Sequence, residues 1–398
     1  MDSFRVYSDV PKVLAPKVVA KIDVDALKSN YRALCAISQG ARHISVVKAD
    51  AYGHASAICV PALLEEGCDF FAVSCIEEAI AVRMLCLEAG KGADILILGY
   101  TDCRLAHLLA EYDIIQTIVS EEYAKELAAA ALETCGRVRV HIALDTGMNR
   151  IGLAAQSEKE CADAADAIKK LMSCGGVAVE GLFTHFSRAD EDGELSSGTD
   201  FTKQQFERFC LVRNILLGDG IKLFSHASNS AATIRFPEYA LDGVRFGIAL
   251  YGVLPSRFVH AELAPVMSLR TVISHIHTVT KGASVGYGGA FSADRDIKIA
   301  TLPIGYADGF IRAFSGFEVT VHTKAGDVKA PVIGRICMDQ CMIDVTSLQV
   351  SVGDEITVFG ERQSDLSRLA DMAETIEYEV LCLISGRVPR IEKTAEYQ

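Results

Sequence analysis

Ile44-Ser45-Val46-Val47-Lys48-Ala49 is the stretch on which the fold turns. It is a short apolar, β-branched run with one lysine near its end, the pattern of a buried strand. Seven runs of similar texture follow: Phe70–Ser74, Ile95–Gly99, Gln116–Ser120, Val140–Asp145, Gly181–Phe186, Leu223–Ala227 and Val244–Tyr251. Helical stretches lie between them, among them Ile76–Ala89, Glu121–Cys135 and Phe201–Leu217. The second is almost wholly Ala, Leu, Glu and Lys, all strong helix formers. Gly67, Gly90, Gly136 and Gly175 stand where helices end, as a left-handed cap requires. Strands alternating with helices mean parallel βαβ units. Eight of them in roughly 210 residues fit a closed (β/α)8 barrel better than an open sheet. Val18–Val24 reads as an extra strand ahead of the eight.

After about residue 262 the texture changes. Thr271–Val279, Lys298–Pro303, Glu318–His322, Ala330–Ile333, Cys341–Val345 and Glu355–Phe359 are short strands parted by Gly and polar turns. Helical periodicity returns only at Leu366–Glu377. The expected fold class is therefore α/β: an N-terminal (β/α)8 TIM barrel over residues 16–262, then a mostly antiparallel β domain over 263–398.

Composition narrows the function. The 398 residues are 50% hydrophobic and 23% charged, ample for a large core, and the net charge of −13 disfavours nucleic acid or an anionic membrane as partner. Thirteen cysteines, an odd number scattered through runs such as Leu85-Cys86-Leu87, read as free thiols of a reducing compartment. Cys337 and Cys341 lack a second pair at zinc-ligand spacing, so no metal is expected. No apolar run approaches the ~20 residues of a membrane helix. Met1–Ala15 mixes charge with proline and has no apolar centre, unlike a secretory signal. A cytoplasmic protein is expected.

In such a barrel the chemistry gathers at the C-terminal ends of the strands, often with a phosphate site after strands seven and eight. Lys48 closes the first strand, and alternation turns it inward beside Val46. Burial lowers a lysine's pKa towards that of a nucleophilic amine. The fifth strand runs into Asp145-Thr146-Gly147-Met148-Asn149-Arg150, the sixth into Thr184-His185-Phe186 and the seventh into Ser228-Asn229-Ser230. The eighth carries Arg245-Phe246-Gly247-Ile248, so that Ser230 and the amides of Gly247 and Ile248 form a candidate phosphate cradle. A single histidine at a strand end is usually structural, but lysine, arginine, histidine and serine at one barrel mouth are not easily accidental. In the β domain, Gly286-Tyr287-Gly288-Gly289 leaves a tyrosine little side-chain company. Gly305-Tyr306-Ala307-Asp308-Gly309 and Gly334-Arg335-Ile336-Cys337-Met338-Asp339 are similarly turn-rich.

Val47-Lys48-Ala49-Asp50-Ala51-Tyr52-Gly53-His54 resembles the cofactor-lysine motif of the alanine racemase family. Asp145–Arg150, Thr184–His185, His226–Ser230, Arg245–Ile248, Gly286–Gly288, Gly305–Gly309, Gly334–Asp339 and Arg387–Arg390 match that family in the same order, over roughly residues 16 to 392. The resemblance implies a fold-type III pyridoxal 5′-phosphate enzyme, an isomerase of a small amino acid. It also implies a head-to-tail homodimer whose shared active sites take barrel groups from one chain and β-domain groups from the other. Lys48 would hold the cofactor covalently, and Tyr52, Ser230, Gly247 and Ile248 its phosphate, with Asn229 also among the cofactor-binding residues. Arg245 would face the pyridine nitrogen, supported by His185. Arg150 would orient the phenolic oxygen and the substrate carboxylate. Tyr287 of the partner chain would be the second base, and Tyr306 and Met338 would bind substrate, Met338 through its backbone amide. Lys48 and Tyr287 on opposite faces of a planar intermediate would move the Cα proton without moving the substrate.

Two positions depart from the family pattern. Ala143 stands where many members carry a carbamylated lysine that steadies the arginine corresponding to Arg150. Gly386 stands where a tyrosine usually contacts the phosphate and walls the substrate pocket. Alanine is the expected substrate, with D-alanine for peptidoglycan as product, and serine or both amino acids the alternative if Gly386 widens the pocket. A decarboxylase on the same barrel would call for paired acidic or Cys–Asp groups in place of the Tyr287 and Met338 motifs. A homologue that binds the cofactor without catalysis is the reading from another class.

Overall fold

The structure is a computed structural model that describes residues 17–191 and 198–393; the Met1–Ala15 stretch lies outside them. The chain forms two compact units. One comprises Asp25–Ala51 and Ser56–Ala264; the other takes residues 17–24, Tyr52–Ala55 and residues 265–393.

The first unit is a closed parallel barrel. Its strands are Arg42–Val46, Phe70–Val73, Asp94–Ile97, Ile115–Ile118, Arg137–Asp145, Gly176–Phe183, Phe224–His226 and Gly243–Phe246. Each pairs with the next, and the ring closes where Gly243–Phe246 pairs with Arg42–Val46. Helices Ile76–Glu88, Glu121–Thr134, Glu158–Ser173 and Gly198–Gly218 connect strands of the barrel. Ser120 caps the second of these, and Ser157 forms a capping box with Glu160 on the third. Ile44, Phe71, Ile95, Leu96, Ile118, Ile142, Leu182 and Val244 are almost completely buried. At the strands' N-terminal ends Asp94 accepts from Arg42 at 2.6 Å and from Arg139 at 2.8 Å. Arg139 also reaches Asp113 and Glu180. That end is tied by ion pairs, which leaves the other for chemistry.

The second unit is built on a nine-stranded sheet in the order His275–Val279, Ile297–Leu302, Cys341–Asp344, Gly326–Ile333, Glu318–Thr323, Glu355–Phe359, Met267–Val272, Val18–Ile22, Arg390–Glu392. All neighbours are antiparallel except the last pair. Val18–Ile22 precedes the barrel in the chain but bonds here, beside Met267–Val272.

Two expected elements divide. Thr271–Val279 is broken between Val272 and His275. The expected helix Leu366–Glu377 becomes Gln363–Met372 and Glu377–Leu383, separated where Glu374 takes a left-handed φ of 53°. No helix among the described residues is long and apolar enough to cross a membrane.

Candidate active site

The first barrel strand stops at Val46, two residues before Lys48. Lys48 is therefore not an inward residue of a buried strand, as alternation suggests, but the half-buried start of a turn beyond it. That turn is left-handed: φ is 52° at Ala49, 52° at Asp50, 57° at Ala51 and 53° at Tyr52. Residues with a Cβ resist this conformation by roughly 1–2 kcal/mol each, so the surroundings must hold it. Glu78 accepts from the Ala49 amide at 2.7 Å and the Ser74 amide at 2.9 Å. Asp50 accepts from the amide and hydroxyl of Ser56. Four consecutive residues held in a disfavoured conformation directly after a lysine mark a site where position matters more than local stability.

Arg245 is the hub of the barrel mouth. Its Nη1 donates to His226 Nδ1 at 2.7 Å and to the His226 carbonyl at 3.1 Å. Its Nη2 donates to the carbonyls of Thr184 and Ala227, both at 2.8 Å, and contacts His185 Nδ1 at 3.3 Å. Its Nε has no hydrogen-bond partner among the described residues. Burial, then the charge of Arg150, lowers the guanidinium's pKa to about 9. His185 is held well below the ordinary imidazole range by burial and then by Arg245, Arg150 and Lys48. One histidine thus reports that all three cations are close, the arrangement an anionic ligand needs.

The remaining barrel candidates fall around this hub. Ser230 opens a short helix capped by Asn229, and its Oγ accepts from the Gly247 amide at 2.8 Å. Ile248, next along, is fully buried. Asp145 shapes the Arg150 loop by accepting from the amides of Gly147 and Asn149. Arg150 itself is exposed and makes no hydrogen bond or ion pair among the described residues, while Ala143 is buried in the fifth strand. Sequence reasoning left His226 without a role and missed the contact of His141 with it, 3.0 Å between Nδ1 and Nε2. The available signal was a histidine within one strand and another at the end of a second, since buried imidazoles must find partners.

The other unit holds Tyr52, Tyr287, Tyr306 and Met338. Tyr52 is buried near Tyr378, and burial raises its phenol above the ordinary range. Arg390 fixes the following residue by donating to the Gly53 carbonyl at 2.9 Å, and to the carbonyls of Ile384, Ser385 and Val388. Tyr287, Tyr306 and Met338 are 67%, 41% and 53% exposed, unusually open for such side chains. Tyr287 lines an open groove with His277, Ser284, Cys337, Gln340 and Met342. The Tyr306 turn is stitched to the Met338 turn through Tyr306 N to Cys337 O and Ala307 N to Met338 O. Arg387 reaches both the buried Asp308 and Asp339 at 2.9 Å. A Cβ added at Gly386 would meet nothing within 4 Å.

A closed parallel barrel that brings a lysine, two arginines and a histidine together at its mouth, on a chain that also builds an antiparallel β unit, defines a two-unit barrel enzyme with a basic site. Residues 22–255 match the family model described as alanine racemase, N-terminal domain, and residues 266–392 the C-terminal domain. The chain is 41% identical to alanine racemase of Clostridium tetani over 387 residues, 94% of this chain and 95% of that protein. It is 39% identical to alanine racemase of Methanococcus maripaludis, over 94% and 97% of the two chains. Among solved structures, alanine racemase of Clostridium difficile 630 superposes with a TM-score of 0.85 at 35% identity, covering 96% of this chain and 97% of that one. The enzyme from Bacillus anthracis with bound L-Ala-P superposes at 0.83 and 32% identity, covering 96% of each. The chain belongs to the alanine racemase family, and is by that membership an isomerase.

Proposed function

We propose that the chain interconverts L- and D-alanine with pyridoxal 5′-phosphate, as a homodimer with shared active sites, and supplies D-alanine for peptidoglycan. The thirteen free thiols suit a cytoplasmic setting. The observation that carries the reading is the basic cluster of Arg245, His185, Arg150 and Lys48. It fits the cofactor on three counts. The Ser230 hydroxyl, held by the Gly247 amide, and the amide of Ile248 suit a phosphate. Lys48 offers an amine to an aldehyde. Among the described residues Arg245 Nε has no acceptor, so one N–H is available for a ring nitrogen.

When bound, the cofactor draws electrons from Cα and so acidifies its C–H bond. Arg245 would donate to the ring nitrogen without giving up its proton, which would keep that withdrawal moderate and disfavour transamination. Lys48, as a neutral amine, takes or returns the Cα proton on one face, and Tyr287 of the partner subunit does so on the other. Arg150, with the backbone amide of Met338 and with Tyr306, both of the partner subunit, orients the carboxylate.

A specific observation favours a second substrate. Gly386 is exposed and a Cβ there would meet nothing within 4 Å; with glycine at the position where the family carries a pocket-wall tyrosine, an apolar slot would reject an added hydroxyl only weakly. The purified chain with added pyridoxal phosphate should form D-alanine from L-alanine, and the same assay with L-serine measures the breadth of the pocket. Gly386→Tyr should suppress serine turnover selectively; unchanged serine turnover would refute the wider pocket. Tyr287→Phe should impair the two directions unequally, or alter the solvent-isotope pattern by direction. Absence of either racemisation would overturn the proposed chemistry.

A further inference from the structure

We propose that His141 is a positioning residue for Arg245: it accepts the hydrogen bond from His226 Nε2 that fixes the tautomer of His226, and so locks the guanidinium in place at the barrel mouth. The inference rests on the reading of Arg245 as the residue that faces the cofactor ring.

The direction of the chain follows from donor chemistry. A guanidinium only donates, so the 2.7 Å contact makes His226 Nδ1 the acceptor. A neutral His226 then carries its proton on Nε2, and at 3.0 Å that N–H donates to His141 Nδ1. His141 in turn carries its proton on Nε2. Both rings are held neutral by burial, His141 down to about 3 and His226 well below the ordinary range. Asp94, Arg139 and Arg42 are the charged groups acting on His141, and their effects are smaller than that of burial.

The same chain could in principle carry a proton away from Arg245 by shifting both tautomers and charging His141. The affinities decide against it, because Arg245 falls only to about 9 while His141 lies at about 3. The proton stays on Arg245, and the chain orders protons without moving them.

The barrel is built around the His141 ring. A Cβ at Gly181 would lie 2.5 Å from three of its atoms. Strand pairing slips at this point: Val140 pairs with Val179 but His141 with Gly181. Phe70 meets the ring edge-on with centroids 6.0 Å apart, and Phe183 stacks on His226 at 4.9 Å and 8°. Packing alone would accept leucine at residue 141; accepting a hydrogen bond needs a nitrogen or oxygen.

The chain has ten histidines, so selective 15N-histidine labelling of the apoprotein at pH 7 resolves the tautomers. His141→Asn and His226→Gln assign the two signals. Both rings are expected neutral, with bare Nδ1 and protonated Nε2. An imidazolium on either, or a protonated Nδ1 on His226, would overturn the proposal. In the second arm, His141→Leu should weaken pyridoxal-phosphate affinity about tenfold by orphaning a buried N–H. His141→Asn, which keeps an acceptor, should stay within about threefold on the same grounds; equal losses would reduce His141 to packing. If His141→Leu does not fold, the wild-type tautomers and the asparagine variant still decide. None of these readings needs turnover. The expected tautomers in a protein that makes no D-alanine would refute the proposed function and leave this inference standing.

Discussion

His141, His185 and His226 are kept neutral where an exposed imidazole would titrate near pH ~6.5. Their pKa values are lower in the folded than in the unfolded chain. Below about pH 6.5 the unfolded chain therefore binds protons that the folded one refuses, so stability is full above that pH and lost as it falls. Each such group contributes a slope of about 1.4 kcal/mol per pH unit. Unfolding free energies from urea titrations at pH 7, 6 and 5 should fall, and between pH 6 and 5 the fall should be smaller in His141→Asn than in wild type by about 1.2 kcal/mol. Parallel profiles for the two proteins would show that His141 becomes an imidazolium as readily in the folded chain as in the unfolded one. Single residues were unevenly legible. Lys48, His185, Ser230 and Arg245 could be nominated because the end of a barrel strand is a position that sequence order reveals. The resemblance also named His185 as the partner of Arg245, which the structure places at 3.3 Å. Its backbone acceptors, the carbonyls of Thr184, His226 and Ala227, could not be named, because they leave no mark on side-chain identity.

The turn after Lys48 sets a prediction at the level of the element. Ala49 is exposed with a left-handed φ, so Ala49→Gly removes steric strain of roughly 1–2 kcal/mol and adds back 0.5–1 kcal/mol of backbone entropy cost. The same change at exposed Ala129, inside the helix Glu121–Thr134, should cost about 1 kcal/mol. Thermal melts of the two variants should move in opposite directions; a loss at both would mean the turn is not left-handed in solution. This element was invisible in the sequence for a definite reason. All eight barrel strands were legible from their apolar runs, but Val47 stays buried after the first strand has ended, as do Ile248 to Tyr251 after the last. Hydrophobic pattern follows burial, so it carried the expected strands Ile44–Ala49 and Val244–Tyr251 past the points where the backbone turns away. Nor does the pattern show Glu78, which holds the turn from a neighbouring helix.

For the molecule as a whole, the change of texture near residue 262 announced a second kind of architecture, but not that Val18–Ile22 would bond within it, because a single β run does not name its partner. Assembly is further still from the sequence. The β unit exposes Tyr287, Tyr306 and Met338, large side chains that a monomer has little reason to leave in water. In the proposed dimer each barrel site receives these residues from the partner subunit, and a two-fold axis makes the two sites equivalent. Mixing two defective chains tests this directly. A Lys48→Ala homodimer lacks the amine at both sites, and a Tyr287→Phe homodimer lacks the second base at both. In their heterodimer one site carries both lesions, while the other joins an intact Lys48 to an intact Tyr287. Co-expressed at equal levels with random pairing, the chains form about half heterodimers with one working site of two, so racemase activity should recover to about one quarter of wild type. Separately purified homodimers, assayed together without subunit exchange, should show no such recovery. If co-expression restores nothing while the heterodimer is demonstrably formed, Lys48 and Tyr287 serve the same site within one chain, and the shared-site dimer is wrong.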